Sequence, residues 1–216
     1  MLRFARNDIL EKMNGPMEKN TAVFLDRDGT INEEVGYLDS IDKLKIFDNT
    51  AKAIRMINDS GMKAVVITNQ SGVARGKFTE DFVRMVHACV QKALQEKGAF
   101  IDAFYYCPHH PTEGIGVYLQ HCTCRKPEAG MLITASAEMD IDLAHSYTVG
   151  DMFKDIQAAD KVGAKGVLVK TGYGLNTIEK ELRSESAGTI QPYYIAEDVL
   201  DAVKWILQDR MNRKQL

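Results

Sequence analysis

The chain has 216 residues, 45% hydrophobic and 26% charged, the makeup of one globular domain large enough to bury a core. Its net charge of −3 provides no basic surface for nucleic acid or an anionic membrane, and no apolar run approaches the ~20 residues of a membrane helix. The start Met1-Leu2-Arg3-Phe4-Ala5-Arg6 lacks the apolar segment of an export signal, so a cytoplasmic protein is expected.

Residues 1–20 are polar, contain Gly15-Pro16, and read as an N-terminal extension, either an appended helix or a loose arm, with Met17 an alternative start. Residues 21–216 read as a single domain. Ala22-Val23-Phe24-Leu25 is a buried strand. From Asn49 to Ser60 apolar residues recur at helical spacing (Ala53, Ile54, Ile57) and stop at Gly61, a helix-ending residue. Ala64 to Ile67 is a second strand. Thr79 is placed to cap a helix carrying Phe82, Val83, Val86 and Val90. Ile101–Tyr106 is a third strand, Met131–Met139 a helix, Tyr147–Val149 a fourth strand and Ile156–Val162 a helix. Gly166–Lys170, Tyr193–Ile195 and a helix over Val199–Gln208, whose apolar stripe packs on the sheet, close the chain. Such alternation predicts an α/β fold, Rossmann-like, with a mainly parallel sheet and helices on both faces.

Directly behind the first strand stands Asp26-Arg27-Asp28-Gly29-Thr30. Two carboxylates therefore emerge at a strand's carboxyl end, where open α/β sheets bind ligands. One carboxylate there attacks an electrophile and a second, two residues on, moves a proton; phosphoryl transfer through an aspartyl-phosphate needs both. Taken alone, the pair also reads as an ordinary Asp-Gly turn. The second strand ends in Thr68-Asn69-Gln70-Ser71-Gly72, a hydroxyl followed by amides suited to phosphate oxygens. Arg125-Lys126-Pro127 supplies cations for the charge spread over a transferring phosphoryl group. Gly150-Asp151, with Asp155 four residues on, completes an oxygen-rich site suited to Mg2+, which offsets the repulsion between carboxylate and phosphate.

Cys107-Pro108-His109-His110 and Cys122-Thr123-Cys124 lie between the third strand and Lys126. Three thiolates and one imidazole make a closed, structural zinc set in a reducing compartment. His109 is the fourth ligand by symmetry with the Cys-x-Cys pair, with His110 and His121 as alternates. Zinc would pin the loop and hold Arg125-Lys126 behind it. Cys89 reads as an ordinary core residue.

In this order the elements DxDGT, Thr, Lys and GDxxxD resemble the haloacid dehalogenase-like (HAD) phosphohydrolase superfamily, and imply its fold. The resemblance implies Asp26 as nucleophile and Asp28 as general acid, later base. It also implies Thr68 and Lys126 as holders of the phosphoryl group. Mg2+ would be bound by Asp26, the Asp28 backbone carbonyl and Asp151, with Asp155 orienting the site. Within the superfamily, DRDGTIN, GY at 36–37, TNQSGVARGKFTE, YYCPHHP, CTCRKPEAGML and VGD resemble the D-glycero-D-manno-heptose 1,7-bisphosphate 7-phosphatase family over residues 21 to about 173. That implies removal of the C7 phosphate from a small phosphorylated sugar. Contacts would come from Glu34, Val35, Gly36 and Tyr37, from Thr68, Asn69, Gln70 and Ser71, and from Arg125 and Lys126.

The related histidinol-phosphatase domain has a shorter cysteine loop than the stretch from His109 to Cys122, and is the alternative activity. A DNA 3′-end phosphatase would need a basic groove, and a zinc-stabilised binding module would not need all four phosphate-site elements. One departure stands out: the family commonly has lysine after the GD aspartate, whereas this chain has Met152, with Lys154 a candidate substitute. The stretch between the first two strands leaves no room for a large cap domain. Loops 33–40, 70–78 and 107–126 are therefore expected to cover the site of a monomer, with the zinc loop shaping substrate selection.

Overall fold

The computed structural model describes residues 19–182 and 190–213; the predicted extension lies, up to residue 18, outside them. Among the described residues six strands form one sheet in the order β3-β2-β1-β4-β5-β6. They are β1 (Ala22–Leu25), β2 (Lys63–Asn69), β3 (Ala103–Cys107), β4 (Tyr147–Gly150), β5 (Lys165–Val169) and β6 (Tyr194–Ala196). Every pairing is parallel. The helices are α1 (Thr50–Asp59), α2 (Glu80–Gln95), α3 (Gly130–Met139), α4 (Phe153–Asp160), α5 (Gly174–Thr177) and α6 (Val199–Arg213).

Strand β1 is the centre of the sheet, with Val23 beside Ala64 on one side and Tyr147 on the other. Its residues are fully buried because both faces are covered. Val23 and Leu25 pack with α1, α2 and α6 through Ile54, Val90 and Val203. Ala22 and Phe24 face the opposite layer, where Leu132 and Ala135 of α3 and Ala158 of α4 lie. Between Leu25 and Lys63 the chain carries a single 3-10 turn and α1, so no cap domain is inserted there.

The boundaries shift where side chains intervene. The third strand begins at Ala103 because Asp102 turns its carboxylate back to the Ala64 amide, at 2.9 Å, and it runs on to Cys107. Helix α2 is capped as its sequence predicts, the Phe82 amide donating to Thr79 Oγ1. Helix α4 starts at Phe153, ahead of the expected Ile156, because Asp155 accepts from the Met152 amide at 3.1 Å. The last helix runs past Gln208 to Arg213, held by Gln208–Asn212 and Arg213–Asp209 contacts one turn apart. Cys89 is only half-buried on α2.

Candidate active site

Because β1 ends at Leu25, Asp26 leaves the sheet at its centre, with its amide still donating to Val149 O at 2.8 Å. Connections run outward from β1 through β2 to β3 one way and from β4 through β5 to β6 the other. The crevice at such a reversal is the ligand site of open α/β sheets. The Arg27 amide donates to Asp26 Oδ1 at 2.7 Å, and Lys126 Nζ lies 3.0 Å from the same oxygen. Lys126, with a fully buried side chain, also lies 2.6 Å from Asp155 Oδ1 and donates to Ile67 O. Asn69 holds the Lys126 backbone at both ends, donating to its carbonyl and accepting from its amide, each at 3.0 Å.

Asp151 completes the group. Its Oδ2 accepts from the Tyr173 amide at 2.7 Å. Gly29 (φ 82°) and Gly172 (φ 55°) pack directly on it, and a Cβ at either would come within 2.1 or 2.2 Å of Asp151 Oδ2. Both positions therefore need glycine, for space and for backbone conformation. Burial raises the Asp26 pKa, and Asp155 adds to this against Lys126. Burial with Asp26 and Asp155 pushes Asp151 up to about 8. Burial works against the Lys126 ammonium, but Asp155 and Asp26 hold its pKa above the ordinary value. One ammonium thus faces three buried carboxylates.

Carboxylate oxygens of Asp26, Asp151 and Asp155 lie within 4.8 Å of one another. Crowded, hard, buried oxygens are the donor set for a divalent cation such as Mg2+. Asp155 already spends one oxygen on Lys126 and the other on the Met152 amide, which leaves Asp26 and Asp151 as the ligating pair.

Asp28 is gripped differently. Arg27 donates to both its oxygens, NH2 at 2.9 and 2.7 Å and Nε at 3.2 Å, and Asn32 and Gln70 each donate to it at 2.9 Å. Burial opposes its charge, but Arg27 and these hydrogen bonds outweigh burial and hold its carboxyl below the usual range. Gln70 Nε2 also donates to Thr68 Oγ1 at 2.9 Å.

The cleft above these groups encloses about 300 Å³. Asp26, Asp28, Thr68 and Asp151 line its base, and Glu34, Gly36, Tyr37, Asn69, Gln70, Ser71, Arg75, Lys154 and Tyr173 its walls. Beside it, Cys107, His109, Cys122 and Cys124 converge. The three sulfurs are 3.0, 3.3 and 3.5 Å apart, and His109 Nδ1 is 3.5 Å from Cys124 and 3.8 Å from Cys107. A zinc tetrahedron with bonds of ~2.3 Å has sulfur–sulfur edges of about 3.8 Å, so the set fits zinc with a slight opening. The Cys107–Cys124 hydrogen bond raises the first thiol and lowers the second to about 5, which favours the thiolate a metal takes.

The family model described as HAD-hydrolase-like matches residues 123–202. D-glycero-D-manno-heptose-1,7-bisphosphate 7-phosphatase of Thermosynechococcus vestitus is 42% identical over 189 residues, covering 86% of this chain and 94% of the relative. The D-glycero-beta-D-manno-heptose-1,7-bisphosphate 7-phosphatase of Salmonella typhi is 48% identical, covering 70% and 81%. The chain belongs to the D-glycero-D-manno-heptose 1,7-bisphosphate 7-phosphatase family of HAD-like hydrolases. Among solved structures, D,D-heptose 1,7-bisphosphate phosphatase from B. bronchiseptica, complexed with magnesium and phosphate, superposes with a TM-score of 0.76 at 32% identity. It covers 88% of this chain and 99% of that one.

Of the residues that the family resemblance implies, the structure brings Asp26, Asp28, Thr68, Glu34, Gly36, Tyr37, Asn69, Gln70 and Ser71 to the cleft and sets Lys126 beneath it. Two of the expected contact residues are not part of the cleft's lining. Val35 is 41% exposed, while its neighbours Glu34 and Gly36 line the cleft. Arg125 lies outside the cleft, beside His121 and Glu128, and donates to His109 O at 3.2 Å.

The cleft's guanidinium is Arg75, inside the ARGKFTE stretch that marks this phosphatase family. It contacts the Tyr37 hydroxyl, His110 Nε2 at 3.2 Å and Glu113 at 2.9 Å. The zinc loop thus reaches the cleft by propping Arg75 and through its backbone, the Gln70 amide donating to Cys107 O at 2.8 Å. Arg27, His87, Gly172 and Tyr173 were also missed. No local signal marks His87 or Tyr173, whereas an arginine wedged between two aspartates behind a buried strand is one.

Proposed function

We propose that this chain hydrolyses the C7 phosphate of D-glycero-D-manno-heptose 1,7-bisphosphate, leaving heptose 1-phosphate. The observation that carries the reading is Asp26, half-neutralised through Oδ1 by Lys126 and the Arg27 amide, beside Asp151 at the sheet's central crevice. The remaining oxygen, Oδ2, attacks phosphorus as the bond to the sugar oxygen breaks, and Asp28 passes a proton to that oxygen. Asp28 then takes a proton from water, whose oxygen attacks the same phosphorus. The bond to Asp26 breaks and inorganic phosphate leaves. Thr68 and the amides of the loop behind it, with Lys126 below, hold the phosphoryl oxygens. In the ligand-free site Arg27 keeps Asp28 ionised; an arriving phosphate anion pushes its pKa back up, and Asp28 takes from solvent the proton it then passes to the leaving oxygen.

Asp26, the Asp28 backbone carbonyl and Asp151 would hold Mg2+, which supplies charge neutralisation between nucleophile and phosphate when bound. Zinc on Cys107, His109, Cys122 and Cys124 is structural, since four protein ligands leave no open position. It acts on selection through Arg75 and Tyr37. Where the family commonly has lysine, Met152 lines the cleft, and Lys154 lines it two residues on; beside Arg75, Lys154 is a second cation available to the substrate. Reduced cysteines with zinc suit the cytoplasm. The protein is proposed to act as a monomer. Among the described residues no helix is long and apolar enough to cross a membrane.

The test is Mg2+-dependent phosphate release from both anomers of heptose 1,7-bisphosphate and from histidinol phosphate, compared by kcat/KM. Preference for a heptose anomer supports the reading. Preference for histidinol phosphate overturns the substrate and leaves the chemistry.

A further inference from the structure

Arg27 is 1% exposed. A guanidinium has five donors and no acceptor, and buried donors need partners. Nε and NH2 are spent on Asp28, and NH2 also lies 3.3 Å from Gln70 Oε1. NH1 lies 3.4 Å from His87 Nε2 on α2. Since arginine only donates, Nε2 must be the accepting nitrogen of a neutral imidazole. The ring is stacked on Phe104 of β3, with centroids 4.7 Å apart at 19°, and edge-on to Tyr106, so it has little freedom to turn. Burial, with Arg27, pushes the His87 pKa down to about 3, in keeping with an acceptor at neutral pH.

We propose that His87 is a positioning residue for phosphoryl transfer: by anchoring NH1 it fixes the Arg27 fork, and the fork fixes the carboxylate plane of Asp28 that meets the leaving oxygen. This rests on the reading of Asp28 as the proton donor. His87 touches neither substrate nor the reacting atoms. Its influence passes through one buried guanidinium, whose planar geometry transmits orientation rather than charge alone. A lysine in place of Arg27 would keep the charge and lose the two-pronged grip.

The experiment compares kcat/KM, which reports transfer to Asp26, for an alkyl phosphate and for 4-nitrophenyl phosphate, whose leaving group needs no proton. Asp28→Ala calibrates it, by losing far more on the alkyl substrate. His87→Leu keeps apolar volume against Phe104 but offers no acceptor; it is expected to lose about tenfold on the alkyl substrate, the scale of one misaligned hydrogen bond, and under twofold on the aryl one. His87→Gln, with an amide oxygen to accept from Arg27, restores the alkyl rate. If His87→Leu does not fold, Arg27→Lys carries the same comparison.

Equal losses on both substrates, or none on either, beside a selective Asp28→Ala, overturn the positioning role. An Asp28→Ala that loses equally on both overturns the assignment of the proton donor, and the inference with it.

Discussion

Replacing Lys126 by methionine removes the one ammonium among three buried carboxylates while keeping most of the unbranched side chain, which ends one atom short of Nζ. Lys126 Nζ is 3.0 Å from Asp26, 2.6 Å from Asp155 and bonded to Ile67 O. Breaking a buried pair by removing one partner costs about 3–5 kcal/mol, because the other charge stays buried alone. For a chain of this size each kcal/mol moves the melting temperature by about 2–4 °C, so a fall of roughly 10 °C is expected in Mg2+-free buffer. Adding Asp155→Asn deletes the stranded charge and keeps an oxygen for the Met152 amide; it should return at least half of the lost stability. Activity should not return, since the cation beside the transferring group is still missing and a loss of about 10²–10³ in kcat is the usual scale. Calorimetry and phosphate release on the single and double variants decide the matter. A double variant as unstable as Lys126→Met, or a Lys126→Met enzyme with near-normal turnover, would refute the reasoning.

Asp26→Asn should abolish turnover with the melting temperature unchanged or raised in Mg2+-free buffer, because burial already opposes the Asp26 charge; continued phosphate release would exclude Asp26 as nucleophile. Metal analysis should find one zinc per chain, released together with three reactive thiols. Its removal should raise KM, since the loop props the cleft-wall residue Arg75 and holds the Gln70 amide through Cys107 O; an unchanged KM and substrate profile would sink that coupling. His87 is buried neutral, with its pKa down at about 3 against an unfolded value of 6.5. Between those values the unfolded chain binds more protons, so stability falls with acid, by up to about 1.4 kcal/mol per pH unit. Thermal melts from pH 7 to pH 4 should therefore fall less steeply in His87→Leu than in the parent, and parallel slopes would count against a neutral buried ring.

How much was legible follows from how local each signal is. Runs such as Ala22–Leu25 and Ala64–Ile67, short and flanked by turn residues, read as buried strands, and carboxylates directly behind such a strand emerge at its end. Asp26, Thr68 and Asp151 could thus be placed from sequence, as could the cysteine pairs, since two residues from one thiolate to the next ligand leave few other uses. Direction could not be read. Arg125 and Lys126 are neighbours of like charge, yet Lys126 is wholly buried under the cleft and Arg125 lies outside it, because the chain turns there, the Glu128 amide donating to Arg125 O at 2.8 Å. Arg27 is buried because the turn after β1 sets it between α2 and the loop behind β2, where His87 and Gln70 give its donors partners. Gly172 and Tyr173 belong to the site only because β5 lies beside β4, which brings the loop behind it onto Asp151. Local chemistry sets which groups leave the strand ends; which of them meet depends on strand order and side-chain direction, and those exist only once the sheet has closed its neighbours together.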